Sequence, residues 1–70
     1  MTEESVTLLT TIDAPYGKRV VLENVDYESG LKMLRIRIRE GNRFTVLDLD
    51  ADTAVRWSTA MSAWAGKVLS

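Results

Sequence analysis

Leu31-Lys32-Met33-Leu34-Arg35-Ile36-Arg37-Ile38-Arg39-Glu40-Gly41-Asn42-Arg43-Phe44-Thr45-Val46-Leu47-Asp48-Leu49 is the stretch that decides the fold. Leu34, Ile36 and Ile38 alternate with Arg35, Arg37 and Arg39, the period-2 pattern of a half-buried strand. Glu40-Gly41-Asn42-Arg43 interrupts it. Gly-Asn is a favoured two-residue hairpin loop, because Gly supplies the positive φ of a type II′ turn. With Gly41 and Asn42 as the loop, Arg39 faces Phe44, Ile38 faces Thr45, Arg37 faces Val46, Ile36 faces Leu47, Arg35 faces Asp48 and Leu34 faces Leu49. One side then holds Leu34, Ile36, Ile38, Thr45, Leu47 and Leu49. The other holds Arg35, Arg37, Arg39, Phe44, Val46 and Asp48. A one-residue slip would mix the two sets, so turn chemistry and burial select the same register.

Outward from the hairpin, the chain is short. Its 70 residues make one domain, and a chain of this size buries only about 60% of the surface its unfolded form exposes. There is no cysteine and no histidine, which removes disulfides, the catalytic thiol, the commonest general base and the commonest metal ligand. Met1-Thr2-Glu3-Glu4-Ser5 has neither the basic nor the apolar region of a secretory signal, and no apolar run is long enough for a membrane span. A soluble cytoplasmic protein is the expectation. Residues 31–43 carry five of the nine cations and one of the ten anions, a local +4 that leaves −5 on the rest of a chain of net charge −1. Such asymmetry marks a binding face, or else a solvated face whose arginines pair with acids on neighbouring strands.

In chain order, residues 1–5 are expected to fray. Val6–Ile12 is rich in β-branched residues and reads as a first strand. Asp13-Ala14-Pro15-Tyr16-Gly17 is a turn. Residues 18–27 form a second strand. Val21, Val25 and Tyr27 lie on one of its sides and Val20 and Leu22 on the other, which implies a β-bulge within it or partial cover on both faces. Glu28-Ser29-Gly30 turns into strands at 31–39 and 43–49. From Asp50 the apolar residues change period: Ala54, Trp57, Met61, Trp64, Ala65 and Val68 follow helical steps of three and four. Asp50 is a suitable N-cap, Asp52 complements the helix dipole, and Gly66 stands where a C′ glycine is expected, giving a helix over 51–65.

The fold class is therefore α+β: a four-stranded antiparallel β-meander with one C-terminal α-helix packed on one face. The Trp57/Met61/Trp64 stripe is the expected cover for the aliphatic hairpin face, and both tryptophans are expected in the core. The opposite face, with Met33, Arg35, Arg37, Arg39, Phe44 and Val46, has no cover in the chain. Those six residues are the candidate interaction surface. Arginine, methionine and aromatic side chains together suit a protein interface, and the same mixture suits stacking and charge contacts with single-stranded nucleic acid. An apolar strip on a bare sheet face also suggests self-association.

Other chemistries find little support. Asp48-Leu49-Asp50-Ala51-Asp52 opens like a calcium loop, but Thr53 and Thr59 stand where Gly and Glu are needed. Ser58, Thr59 and Ser62 have no histidine to activate them, and paired carboxylates such as Glu23 and Asp48 have no evident pocket to raise a pKa. The four glycines are dispersed, with no phosphate-binding loop. The expectation is a non-enzymatic interaction module, a homodimer or a partner to another protein, without cofactor, metal, small-molecule ligand or membrane association. The alternative is single-stranded DNA or RNA binding on the same face.

Ala14-Pro15-Tyr16-Gly17-Lys18, Tyr27-Glu28-Ser29-Gly30-Leu31, Arg37-Ile38-Arg39-Glu40-Gly41 and Phe44-Thr45-Val46-Leu47-Asp48-Leu49-Asp50 resemble a family of short bacterial proteins of unknown function. That resemblance covers about residues 14–65 and implies no activity. In topology alone, four meandering strands leading through Leu47-Asp48-Leu49-Asp50 into a Trp-bearing helix are similar to the positive-cofactor type of single-stranded-DNA-binding coactivator. That likeness implies a dimer with nucleic acid on basic strands. The chain departs from it in its acidic isoelectric point near 5.2, its single aromatic on the candidate face and its lack of a basic N-terminal tail.

Overall fold

The computed structural model describes residues 4–70, so the expectation of fraying can be followed only at Glu4 and Ser5, which belong to the first strand. Strands β1 (Glu4–Ala14), β2 (Lys18–Tyr27), β3 (Lys32–Glu40) and β4 (Arg43–Leu49) form one antiparallel sheet in the order β1-β2-β3-β4, followed by helix α1 (Ala51–Leu69). The α+β meander is as the patterning implies. No helix among the described residues is long and apolar enough to cross a membrane.

The β3–β4 ladder has the register that turn chemistry selects, Arg39 opposite Phe44 through to Leu34 opposite Leu49. Gly41 adopts a φ of 59°, the left-handed value that the first position of a type II′ turn requires and that a side chain resists. The bulge lies in β1 rather than in β2. Leu8 and Thr10 pair with the consecutive residues Glu23 and Leu22, so Leu9 is the extra residue. β2 keeps a regular ladder with β3, and its two-sided apolar pattern reflects partial cover on both faces.

Paired residues share a face, so the ladders sort the whole sheet. Ile12, Val20, Leu22, Leu34, Ile36, Ile38, Leu47 and Leu49 line the helix side. Val6, Val25, Met33, Phe44 and Val46 accompany the arginines on the other side. Among the described residues two apolar side chains are buried: Ile36 on the first face and Val25 on the second.

Helix α1 starts where Asp50 caps it, the Thr53 amide donating to Asp50 Oδ1 at 2.9 Å. It ends four residues beyond the expected stop. Gly66 takes ordinary helical geometry, with nothing within 4 Å of where a Cβ would stand, and the helix runs on through Lys67, Val68 and Leu69. A glycine becomes a C′ residue only where the following segment turns back on the helix, and here Lys67, Val68 and Leu69 continue it. Gly66→Ala is therefore expected to raise stability by about 0.5–1 kcal/mol, read from the urea midpoint at fixed protein concentration. A loss of stability would contradict the open surroundings of Gly66.

The tryptophan stripe does not cover the sheet as the sequence suggests. At 1.5 Å per residue α1 is about 28 Å long, but it packs chiefly against β3 and buries no residue of its own. Trp57 is 41% exposed, Met61 60% and Trp64 68%. The molecule measures 48 × 30 × 15 Å, a thin two-layer body of one helix on one sheet. One helix about 10 Å wide cannot roof a four-stranded sheet whose neighbouring strands stand about 4.8 Å apart.

Candidate interaction surface

The strand ladders bring Met33, Arg35, Arg37, Arg39, Phe44 and Val46 onto one face, as the alternation requires. Their environments differ. Arg35 is the most sheltered cation, its side chain 14% exposed. It grips Asp48 of β4 through two bonds, Nε to Oδ1 at 2.9 Å and Nη2 to Oδ2 at 3.2 Å, and reaches Glu4 of β1 at 3.4 Å. The line from Arg35 to Glu4 crosses β2 at Val25, which sits between Val6 and Met33 in the ladder. That bridge and those two neighbours account for the burial of Val25 on a face expected to be bare.

Several other cations of this region and of β2 also have partners. Arg37 donates to Glu23 at 2.6 Å, Arg19 to Asp13 at 3.0 Å, Lys18 pairs with Glu40 and Lys32 with Asp26. Arg39 donates to the Gly41 carbonyl and lies 5.9 Å from the centroid of the Phe44 ring. Each exposed pair is worth about 0–1 kcal/mol. Most of the local excess of positive charge is thereby taken into cross-strand pairs. What stays open on this face is Phe44, 69% exposed, and Val46, half exposed, together with the exposed guanidinium groups of Arg37 and Arg39.

The pairing has an electrostatic signature. The hydrogen bond from Arg35, before any other influence, holds the Asp48 carboxyl below the usual range, and Asp48 in return keeps the Arg35 guanidinium more firmly protonated. Hydrogen bonds from Thr53 hold Asp50 low in the same sense. Both aspartates are stronger acids folded than unfolded, so protonation favours unfolding. Their contribution is fully present above the unfolded value of about 3.9 and is lost as pH falls through the lower folded values. The urea midpoint is expected to be level near neutrality and to fall below about pH 4, with a shallower fall in Asp48→Asn. A profile unchanged by that substitution would remove Asp48 from the account.

A second feature was not legible in the sequence. Between α1 and the aliphatic sheet face lies a groove with a cavity of about 330 Å³, its floor made by Val20, Leu22, Leu34, Ile36 and Ile38 and its wall by Trp57. Ser58 brings the one side-chain hydroxyl to its lining, and that hydroxyl already donates to the Val55 carbonyl at 3.0 Å. Ligand sites of this size usually converge a few polar groups to orient what they bind. This one offers none, so it suits aliphatic and aromatic side chains. The groove continues along the helix into a shallow apolar patch around Met61, Trp64 and Ala65. A further depression beside the hairpin tips, lined by Asp13, Lys18, Arg19 and Arg39, is bordered by the ion pairs already described.

A family model described as a family of unknown function, DUF6967, matches residues 3–67. The chain belongs to that family. Membership of DUF6967 spans the four strands and nearly all of α1, so the groove and the arginine face both fall within the region the family shares. No curated protein and no solved structure matches the chain. The likeness to single-stranded-DNA-binding coactivators therefore rests on the order of strands and helix alone.

Proposed function

We propose that this DUF6967 member is a small non-enzymatic interaction module that works as a self-associated unit, a second copy covering the groove and the outer half of α1. The observation that carries this reading is the unfilled apolar groove with its continuation along the helix. Ile12, Leu47, Trp57, Met61, Trp64 and Val68 lie on or beside it and are 37–68% exposed. With side chains of ordinary size they present roughly 600 Å² of apolar surface. A standard interface takes about 800 Å² from each partner, so a modest rim would complete it. Two buried side chains are also a small core for an independent fold, and association is a common remedy in chains this short. In this reading the arginine face stays outward, with Phe44 and Val46 as its open apolar contacts for another protein.

Binding of single strands on the arginine face has less support. A nucleic-acid footprint is a surplus of unpaired cations, and on this face Arg35, Arg37 and Arg19 are held by carboxylates, which among the described residues leaves Arg39, bonded to the Gly41 carbonyl, as the cation without one. Sedimentation equilibrium tests the proposal. At tens of micromolar the expected species has twice the 7.9 kDa chain mass, and an added thymidine oligonucleotide leaves it unchanged at about 150 mM salt. A strict monomer at high micromolar concentration would overturn self-association. Oligonucleotide binding that falls steeply with salt would replace it with the single-strand reading.

A further inference from the structure

Resting on the self-association reading, we infer that the second copy joins edge to edge along β4, with Val46 on the two-fold axis. The resulting sheet is continuous, eight-stranded, and carries both α1 helices on one face.

The inference starts from the two edges of the sheet, β1 and β4. An exposed edge is a row of unpaired backbone donors and acceptors, and proteins that stay single blunt it with bulges, prolines or charges. β1 is blunted by the bulge at Leu9, which breaks its ladder. β4 has charges only at Arg43 and Asp48, near its two ends, and no bulge. It pairs with β3 over its whole length without a register shift, contains neither proline nor glycine, and leaves Arg43 through Asp48 exposed. Its centre, Phe44-Thr45-Val46-Leu47, consists of residue types that favour strands. The open edge also adjoins the helix-side face: Leu49 lines the groove, and Leu47 lies on the same face as Leu34, Ile36 and Ile38. A strand added at β4 extends that aliphatic floor and brings a second tryptophan helix to the same side.

Geometry narrows the partner strand further. Residues opposite each other in an antiparallel pair share a face, so β4 can meet a copy of itself only in registers whose paired numbers have an even sum. Odd sums would set the apolar face of one copy against the arginine face of the other. Of the allowed registers, the one that pairs all seven residues of β4 is centred on Val46. It sets Thr45 opposite Leu47, Arg43 opposite Leu49, Phe44 opposite Asp48 and Val46 opposite its own counterpart. No like charges face each other, and Asp48 is already held by Arg35. A two-fold axis perpendicular to the sheet closes this contact, so it ends at a dimer and does not propagate a fibre.

The chain has no cysteine, so a single introduced thiol reports the contact without background. Opposed residues in such a ladder have Cα atoms about 4.5–5.5 Å apart, within disulfide reach. Val46→Cys, oxidised with glutathione disulfide at a concentration where sedimentation shows the dimer, is expected to become covalently dimeric at least tenfold faster than Phe44→Cys. In the Val46-centred register the two copies of residue 44 lie four positions apart, roughly 13 Å. Thr7→Cys, on the other edge, is expected to stay as slow as Phe44→Cys. A dimer in which Val46→Cys cross-links no faster than these two leaves self-association standing and overturns the β4 contact. Fastest cross-linking at Thr7→Cys assigns the contact to β1 and overturns it too. A monomeric wild-type chain removes both proposals.

Discussion

Trp64→Glu is expected to be monomeric at concentrations where the wild type is dimeric, and its thermal midpoint is expected to stop rising with protein concentration. The reasoning turns on what each state makes of Trp64. In the single chain this side chain is 68% exposed. Replacing so exposed a residue shifts the stability of one chain by about 0.5 kcal/mol or less. In the proposed dimer the same side chain would be a buried aromatic anchor. Truncating such an anchor costs about 2–4 kcal/mol, a roughly 30- to 1,000-fold weaker dissociation constant, and a buried carboxylate adds to that. The two states thus predict opposite results for one substitution. A dimer equilibrium unchanged by Trp64→Glu, with the chain still folded by circular dichroism, would show that the outer half of α1 faces water. Trp64→Phe keeps an aromatic anchor and is expected to retain the dimer, which separates loss of the contact from a general effect on the helix.

Val25→Asp is expected to leave the chain largely unfolded at 25 °C and neutral pH, whatever its concentration. Val25 has no exposed surface. Its ladder neighbours, Val6 and Met33, carry no group that could accept or neutralise a charge. The nearest cation, Arg35, already holds Asp48 and Glu4, and Arg37 holds Glu23, so a carboxylate at position 25 gains a partner only by breaking one of these pairs. An unpaired carboxylate at this point costs about 3–5 kcal/mol, comparable to the whole stability of a domain this small. Val25→Ala removes only volume and is expected to cost about 2 kcal/mol, seen as a lower urea midpoint with the same slope. If Val25→Asp folded with a midpoint near that of Val25→Ala, the position would not be sealed by the Arg35–Glu4 bridge.

The two substitutions bear on different parts of the molecule. Val25 reports on the sheet, which is complete within one chain. Trp64 reports on the helix, whose apolar stripe stays largely exposed in one chain. The contrast follows from how each element satisfies itself. Every ladder from β1 to β4 closes between neighbours in sequence, so short turns suffice to form it. The helix instead needs an apolar wall along its whole length, and the chain supplies one only beneath its first three turns.

The sequence alone determined the β3–β4 register, because strand alternation has a period of two and the Gly41-Asn42 turn fixes the count between the strands. It determined the helix start at Asp50, where a capping carboxylate meets the change to helical spacing. It also determined that Met33, Arg35, Arg37, Arg39, Phe44 and Val46 share a face, since that is the same counting. Only the tertiary structure decided what those residues are free to do. Whether an arginine is paired depends on the neighbouring strand: Glu23 and Arg37 are 14 residues apart and Glu4 and Arg35 are 31 apart. Helix periodicity marked Trp57, Met61 and Trp64 as one stripe, but a stripe specifies only that an apolar partner is needed, not which chain provides it. Where α1 rests on the sheet, chiefly over β3, is decided by contacts between elements and not by any local pattern, and that placement leaves the groove beside Trp57 open.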